Sequence, residues 1–175
     1  MNSKFKEALI FIQKGQLNEA KKLFVEILKK EPNNFNAYNN IANIFFIWGN
    51  FNDALQNYEK AIKIKPDYAD AYNNRGNALR KLNKKNDAIE SYLKATKLDQ
   101  NHAHAYYNLG GALREQKKFT SAIKYYEKSI KLKPSYIDPY MGLGSLYIEL
   151  KKHILALECY EKAKELEPDY NFLLG

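Results

Sequence analysis

The stretch FNDALQNYEKAIKIKPDYADAYNNRGNALR, residues 51–80, decides the fold: Ala54, Tyr58 four residues on, then Pro66, then a second run holding Gly76. Worked outward in steps of 34, these marks recur along the chain. Ala54 belongs to the column Ala20, Ala54, Ala88, Ala122 and Ala156, and Tyr58 to Phe24, Tyr58, Tyr92, Tyr126 and Tyr160. Gly76 belongs to Ala8, Ala42, Gly76, Gly110 and Gly144. Pro66 is matched by Pro32, Pro134 and Pro168, with Gln100 breaking that column. Three full columns of restricted residue type do not align by chance, so the chain is an internal repeat over residues 1–34, 35–68, 69–102, 103–136 and 137–170.

Inside a repeat the apolar spacing is helical, as with Tyr106, Leu109, Gly110 and Leu113 followed by Ala122, Ile123, Tyr126, Ser129 and Ile130. Each repeat therefore reads as two helices divided by a polar break such as Gly49-Asn50 or Lys117-Lys118. Asn18, Asn52, Asn86 and Thr120 stand where an N-cap would open the second helix, and Asp53 and Asp87 add acidic charge that suits the helix dipole. The proline near the end of a repeat stops the second helix and resets the chain. Small residues at the Ala42 and Ala54 positions let the paired helices approach, with the aromatic columns filling the space beside them.

The pattern resembles the tetratricopeptide repeat, a 34-residue helix-turn-helix written W-x2-L-G-x2-Y, A-x3-F, P. Repeat four carries it as Tyr106, Leu109, Gly110, Leu113, Ala122, Tyr126 and Pro134. The resemblance implies an all-α fold, a right-handed alpha-solenoid of five helix pairs acting as a protein-binding scaffold. Departures are local: Lys4 and Glu7 replace apolar positions in repeat one, Arg75 replaces one in repeat three, and Gln100 takes a proline place. Repeat one thus reads as a solvated end cap. At the other end Asp169-Tyr170 repeats Asp67-Tyr68, which leads into a further helix, and residues 171–175 read as a truncated or continuing junction. Lys164 partly polarises the last helical face. The expectation is that the natural protein continues or that the last helix pair docks on a second copy.

In the resembled family the concave wall is lined by first-helix positions 2, 5, 6, 9, 12 and 13. Positions 5, 6 and 9 among them hold Asn39, Asn40, Asn43, Asn73, Asn74, Asn77 and Asn108. Asn is a mediocre helix former, so seven of them on first helices ask for a reason. A carboxamide both donates and accepts and so complements a peptide group. Neighbouring helices lie ~8–10 Å apart and an extended chain rises ~3.3 Å per residue, so one Asn per repeat meets about every third peptide group. This is similar to the asparagine ladder in the repeat domain of protein O-GlcNAc transferases, which implies a partner that is an extended protein or peptide segment. The alternative is that these Asn solvate an exposed face or bond to one another between repeats.

The carboxylate clamp of some family members, built from Lys, Asn and Arg over three repeats, is absent, because the nearest register offers Asn39, Asn43, Asn74, His104 and Asn108. Arg80, Lys81 and Arg114 reach the groove columns as partners for acidic side chains, opposed by Glu115 and Glu149. Phe46, Ile47, Tyr107, Met141 and Ile148 are either side-chain pockets or packing between first helices.

At 175 residues with 45% apolar and 27% charged side chains, the chain can bury a core. It has no apolar run of membrane-spanning length, and its single cysteine cannot pair internally. The first twelve residues lack the length and cleavage pattern of a secretory signal, which points to a cytoplasmic protein. The net charge of +8 divides over the five repeats as +3, 0, +3, +5 and −3. Most lysines fall in turns or late in second helices, where they serve the dipole and solubility, and no nucleic-acid motif accompanies them. His102-x-His104 lacks further metal ligands nearby, and Cys159 has no activating cation cluster. No phosphate-cradle, nucleophile-elbow or zinc-protease motif occurs, so neither a cofactor nor an enzymatic activity is expected. Two alternatives stay open: the substrate-recognition arm of a larger glycosyltransferase-like enzyme, or self-assembly through the last helix pair to give a homo-oligomer.

Overall fold

The computed structural model describes residues 3–168, so the expected junction after Pro168 lies outside the described residues. The described residues form ten helices and no strand: α1 (Ser3–Gln13), α2 (Leu17–Lys30), α3 (Phe35–Ile47), α4 (Phe51–Ile64), α5 (Ala69–Lys81), α6 (Lys85–Leu98), α7 (Ala103–Glu115), α8 (Phe119–Leu132), α9 (Ile137–Glu149) and α10 (His153–Leu166). From α3 onward, helix bounds repeat at intervals of 34 residues, as the columns require. The chain divides into two compact units, Met1–Leu98 and Asp99–Gly175. The division falls at the junction where Gln100 replaces proline.

Each hairpin turns in the same way. Gly15, Gly49, Asn83, Lys117 and Lys151 take φ of 72°, 79°, 60°, 58° and 58°. The amide after each reaches the carbonyl five residues back: Gln16 to Phe11, Asn50 to Phe45, Lys84 to Leu79, Lys118 to Leu113 and Lys152 to Tyr147, at 2.8–2.9 Å. Together with the amide of the left-handed residue itself, this forms a Schellman closure, which satisfies the last carbonyls of the first helix. The turn is so tight that the second helix starts two residues after the left-handed residue.

That geometry corrects the expected N-caps. Asn18, Asn52, Asn86 and Thr120 lie inside the first turn, because α2, α4, α6 and α8 begin one residue before them. The residues preceding α2, α4 and α8, Gln16, Asn50 and Lys118, make no side-chain cap bond. Their backbone carbonyls instead accept the first helical bonds, as from Ala54 to Asn50 at 3.0 Å. Side-chain caps open two first helices: Asn34 Oδ1 accepts from the Ala37 amide at 3.0 Å, and His102 Nδ1 from the Ala105 amide at 3.2 Å. Where proline is missing, the Asp99 carboxylate accepts from the Asn101 amide at 2.9 Å, a local turn that serves the same purpose.

In the first compact unit Ala20, Ala54 and Ala88 are fully buried, as are Phe24, Tyr58 and Tyr92. Each such ring contributes roughly 1.5–3 kcal/mol through apolar burial. The small column is required by these rings: a Cβ on Gly76 would sit 2.5 Å from the Tyr92 ring. On α1, Phe5 packs edge-on against Phe24, with ring centroids 5.3 Å apart, while Lys4 turns outward to pair with Glu26 of α2. Arg75, the polar intruder in an apolar column, donates from Nη1 to Ser91 Oγ at 2.8 Å and faces Glu59 at 3.6 Å.

The second compact unit repeats the scheme with Ala122, Tyr126, Leu109 and Leu146 in its core. Ser129 Oγ donates to the Ala103 carbonyl at 2.8 Å and ties α8 to the start of α7. Among the described residues no helix is long and apolar enough to cross a membrane.

Candidate functional site

In the first compact unit the Asn columns of α3 and α5 form two sets. Asn39 and Asn73 are buried, 5% and 6% exposed, and belong to a lateral chain of amides. Asn73 Nδ2 donates to Asn74 Oδ1 at 3.3 Å, and Asn74 Nδ2 lies 3.3 Å from Asn43 Oδ1 and 3.5 Å from Asn39 Oδ1. This chain ties α3 to α5, so part of the row is spent on joining repeats.

The other set is aimed by tyrosines. The buried hydroxyl of Tyr58 donates to Asn43 Oδ1 at 2.7 Å, and that of Tyr92 to Asn77 Oδ1 at 2.7 Å. Burial raises the Tyr58 pKa well above the usual phenol range, so the hydroxyl stays a neutral donor. With Oδ1 fixed, the Nδ2 groups of Asn43 and Asn77 are the ends left to donate. Asn40 is oriented from its own helix, Nδ2 to the Asn36 carbonyl at 2.8 Å, which leaves its Oδ1 as an acceptor. The first helices thus present one acceptor and two donor ends.

Asn40, Asn43 and Asn77 line a shared cavity of about 470 Å³, in the size range of small-ligand sites. Its polar lining is Asn40, Asn43, Asn74, Asn77, Gln13 and the Tyr58 hydroxyl, and its apolar lining Leu9, Ile12, Ile44, Phe46 and Ile47. Sequence reasoning reached the four Asn and the pair Phe46 and Ile47. It missed Leu9, Ile12, Gln13, Ile44 and Tyr58. A signal existed: Leu9 pairs with Phe24, whereas Asn43 and Asn77 pair with Tyr58 and Tyr92, so the polar residue appears where a hydroxyl needs an acceptor. Arg80 is exposed near the end of α5 and does not line this cavity.

The remaining predicted residues lie in the second compact unit. Asn108 is half-buried on α7. Arg114 Nε lies 3.0 Å from Glu149 Oε2, so the predicted cation is engaged within the wall. Tyr107 packs between Tyr126 and Tyr136, at centroid distances of 5.9 and 5.5 Å, which is a structural position. His104 lies against Tyr136 at 4.4 Å, and among the described residues no three His, Cys, Asp or Glu side chains gather to hold a metal. Burial, then Glu158 and Glu127, push the Cys159 thiol up to about 11, away from a reactive thiolate. Several lysines near helix ends face aromatic rings: Lys65 lies 4.8 Å from the Phe35 ring centre and Lys133 5.4 Å from that of Tyr136.

Among solved structures, the crystal structure of MamA is 28% identical over 96% of each chain, with a TM-score of 0.79. PilF of Pseudomonas aeruginosa superposes with a TM-score of 0.86 at 22% identity, covering 93% of this chain and 74% of its own. YrrB, described as a TPR protein with an unusual peptide-binding site, gives 0.71 at 21% identity over 95% of this chain and 86% of its own. Among curated proteins none matches the sequence. The family models named TPR repeat or Tetratricopeptide repeat match residues 3–34, 23–56, 42–82, 73–137 and 137–170. Those matches run unbroken from residue 3 to residue 170, and the chain belongs to the tetratricopeptide repeat family, an all-α solenoid fold.

Proposed function

We propose that the protein is a non-catalytic interaction scaffold whose first compact unit holds an extended polypeptide by its main chain. The observation that supports this is a cavity lined by Asn40, Asn43 and Asn77, in which bonds to Asn36, Tyr58 and Tyr92 leave an acceptor on Asn40 and Nδ2 donors on Asn43 and Asn77. A peptide group needs one acceptor for its N–H and one donor for its carbonyl, and this wall supplies both. Asn39, Asn73 and Asn74 support the wall by linking α3 to α5. Arg80 follows them along the first helices as a further candidate contact, and Asn108 and the Glu149-paired Arg114 are the corresponding proposals in the second unit. One structural neighbour, YrrB, is described as having an unusual peptide-binding site.

Asn77→Asp tests this reading. It keeps an acceptor for the Tyr92 hydroxyl but removes the Nδ2 donors. Affinity for unstructured peptides, read by fluorescence anisotropy, should fall about tenfold, the loss of one well-placed hydrogen bond in a confined site. Helicity should be unchanged. Unaltered affinity would refute the grip.

A second reading, self-association, is favoured by α10, where Ile154 is 76% and Leu157 57% exposed. Such side chains on one helix seek cover. Light scattering over a hundredfold concentration range tests it: a mass that rises with concentration, and stays monomeric in Ile154→Lys, supports it, whereas a constant monomer mass rejects it.

A further inference from the structure

The cavity of the first compact unit has a feature that main-chain recognition does not need. Its lining includes no acidic or basic side chain, although 27% of the protein's residues are charged. Its one ionisable member, Tyr58, is buried and donates to Asn43. Its lining also includes Leu9 and Ile12 of α1, which pack against the core cluster, and Phe46 and Ile47 of α3. Ile47 is 61% exposed, unusual for an isoleucine on a helix that already buries Ala37, Ile41 and Ile44.

The same columns change character along the chain. Position 12 of the repeat is Ile12, then Phe46, then Arg80; position 13 is Gln13, Ile47, Lys81. The apolar wall is therefore confined to the first two repeats and ends where α5 begins to carry cations. A charged side chain entering the apolar part would lose water and meet no opposite charge, whereas an aliphatic or aromatic one would exchange water for hydrocarbon.

We infer that this wall is a side-chain subsite for one uncharged apolar residue, of leucine size or larger, within an extended peptide held by the amide wall. The inference rests on the proposed main-chain grip and adds to it the chemistry of the residue selected. Peptide groups about three residues apart, bracketing the anchor, meet Asn43 and Asn77, and the anchor itself lies against Ile12, Phe46 and Ile47. Charge complementarity here means neutrality on both sides.

The test uses the full chain, labelled with nitrogen-15, and three acetylated, amidated heptapeptides, Ser-Gly-Ser-X-Ser-Gly-Ser, with X leucine, aspartate or lysine. The leucine peptide should bind at least about tenfold more tightly than either charged one, the gain expected from burying one such side chain. Its amide shifts should centre on Ile12, Phe46 and Ile47. Ile47→Asp, at an exposed position that the core does not use, should remove that preference. Equal binding of all three peptides, with shifts at Asn40, Asn43 and Asn77, overturns the subsite and leaves the main-chain grip standing. No shift with any of them overturns both.

Discussion

The two compact units use one scaffold and differ in what they place on it. In the first, repeat positions 5, 6 and 9 are Asn39, Asn40 and Asn43 on α3, and Asn73, Asn74 and Asn77 on α5. In the second, the same positions are Tyr107, Asn108 and Gly111 on α7, and Met141, Gly142 and Ser145 on α9. The buried columns scarcely change: Ala88 and Tyr92 in one are Ala122 and Tyr126 in the other, all buried. The columns of small and aromatic residues are thus fixed by volume, while positions 5, 6 and 9 vary in chemistry from unit to unit. The second unit pairs Arg114 with Glu149 where the first has an uncharged cavity.

The largest effects should fall on the shared columns, equally in both units. Gly76→Val and Gly110→Val each push a branched side chain into a tyrosine ring, since even a Cβ would lie 2.5 Å from Tyr92 in one and 2.9 Å from Tyr126 in the other. Each should cost about 3 kcal/mol, read as a drop in the urea midpoint followed by circular dichroism. A large loss in one unit only would break the claim that they share a scaffold.

Next come the tyrosine partners, where the units should diverge. Asn43→Ala strands the buried Tyr58 hydroxyl and should cost about 2 kcal/mol. Ser145→Ala removes a longer, 3.3 Å bond to the half-buried Tyr160 and should cost less than about 1 kcal/mol. Similar costs would show that the Asn are held no more firmly than their counterparts.

The turn column should respond more weakly. Gly49 stands at φ 79° with open space around its Cβ position, so Gly49→Lys should cost about 1 kcal/mol through backbone strain alone. Lys117→Gly, at φ 58°, should recover a similar amount. The smallest effect is expected from Arg114→Ala. Its ion pair with Glu149 is partly solvated, so stability should change by less than about 1 kcal/mol, and peptide binding by the first unit should not change.

The architecture was legible in the sequence because Ala20, Phe24 and their counterparts answer to volume, which leaves the same residue type at each step. The N-cap positions were misplaced because the left-handed closure starts the second helix two residues later whatever residue makes it, Gly15 and Gly49 or Asn83, Lys117 and Lys151. A cap placed by residue type then falls inside the helix. The Asn columns could be located but their division could not. Whether an amide turns inward, as Asn39 and Asn73 do, or outward from a tyrosine hydroxyl, as Asn43 and Asn77 do, depends on contacts about 15 and 31–35 residues away in sequence. Leu9 and Ile12 escaped notice for a related reason, since only the stacked hairpins bring these core-packed side chains to the cavity lining as well.

Backbone methylation of the bound peptide tests the grip most directly. In the leucine heptapeptide, N-methylation of the groups flanking the anchor removes main-chain donors and leaves every side chain in place. If Asn40 Oδ1 accepts from the ligand backbone, affinity measured by the same nitrogen-15 titration should fall at least about tenfold. Equal affinity of the methylated and unmethylated peptides would contradict main-chain recognition by the first compact unit.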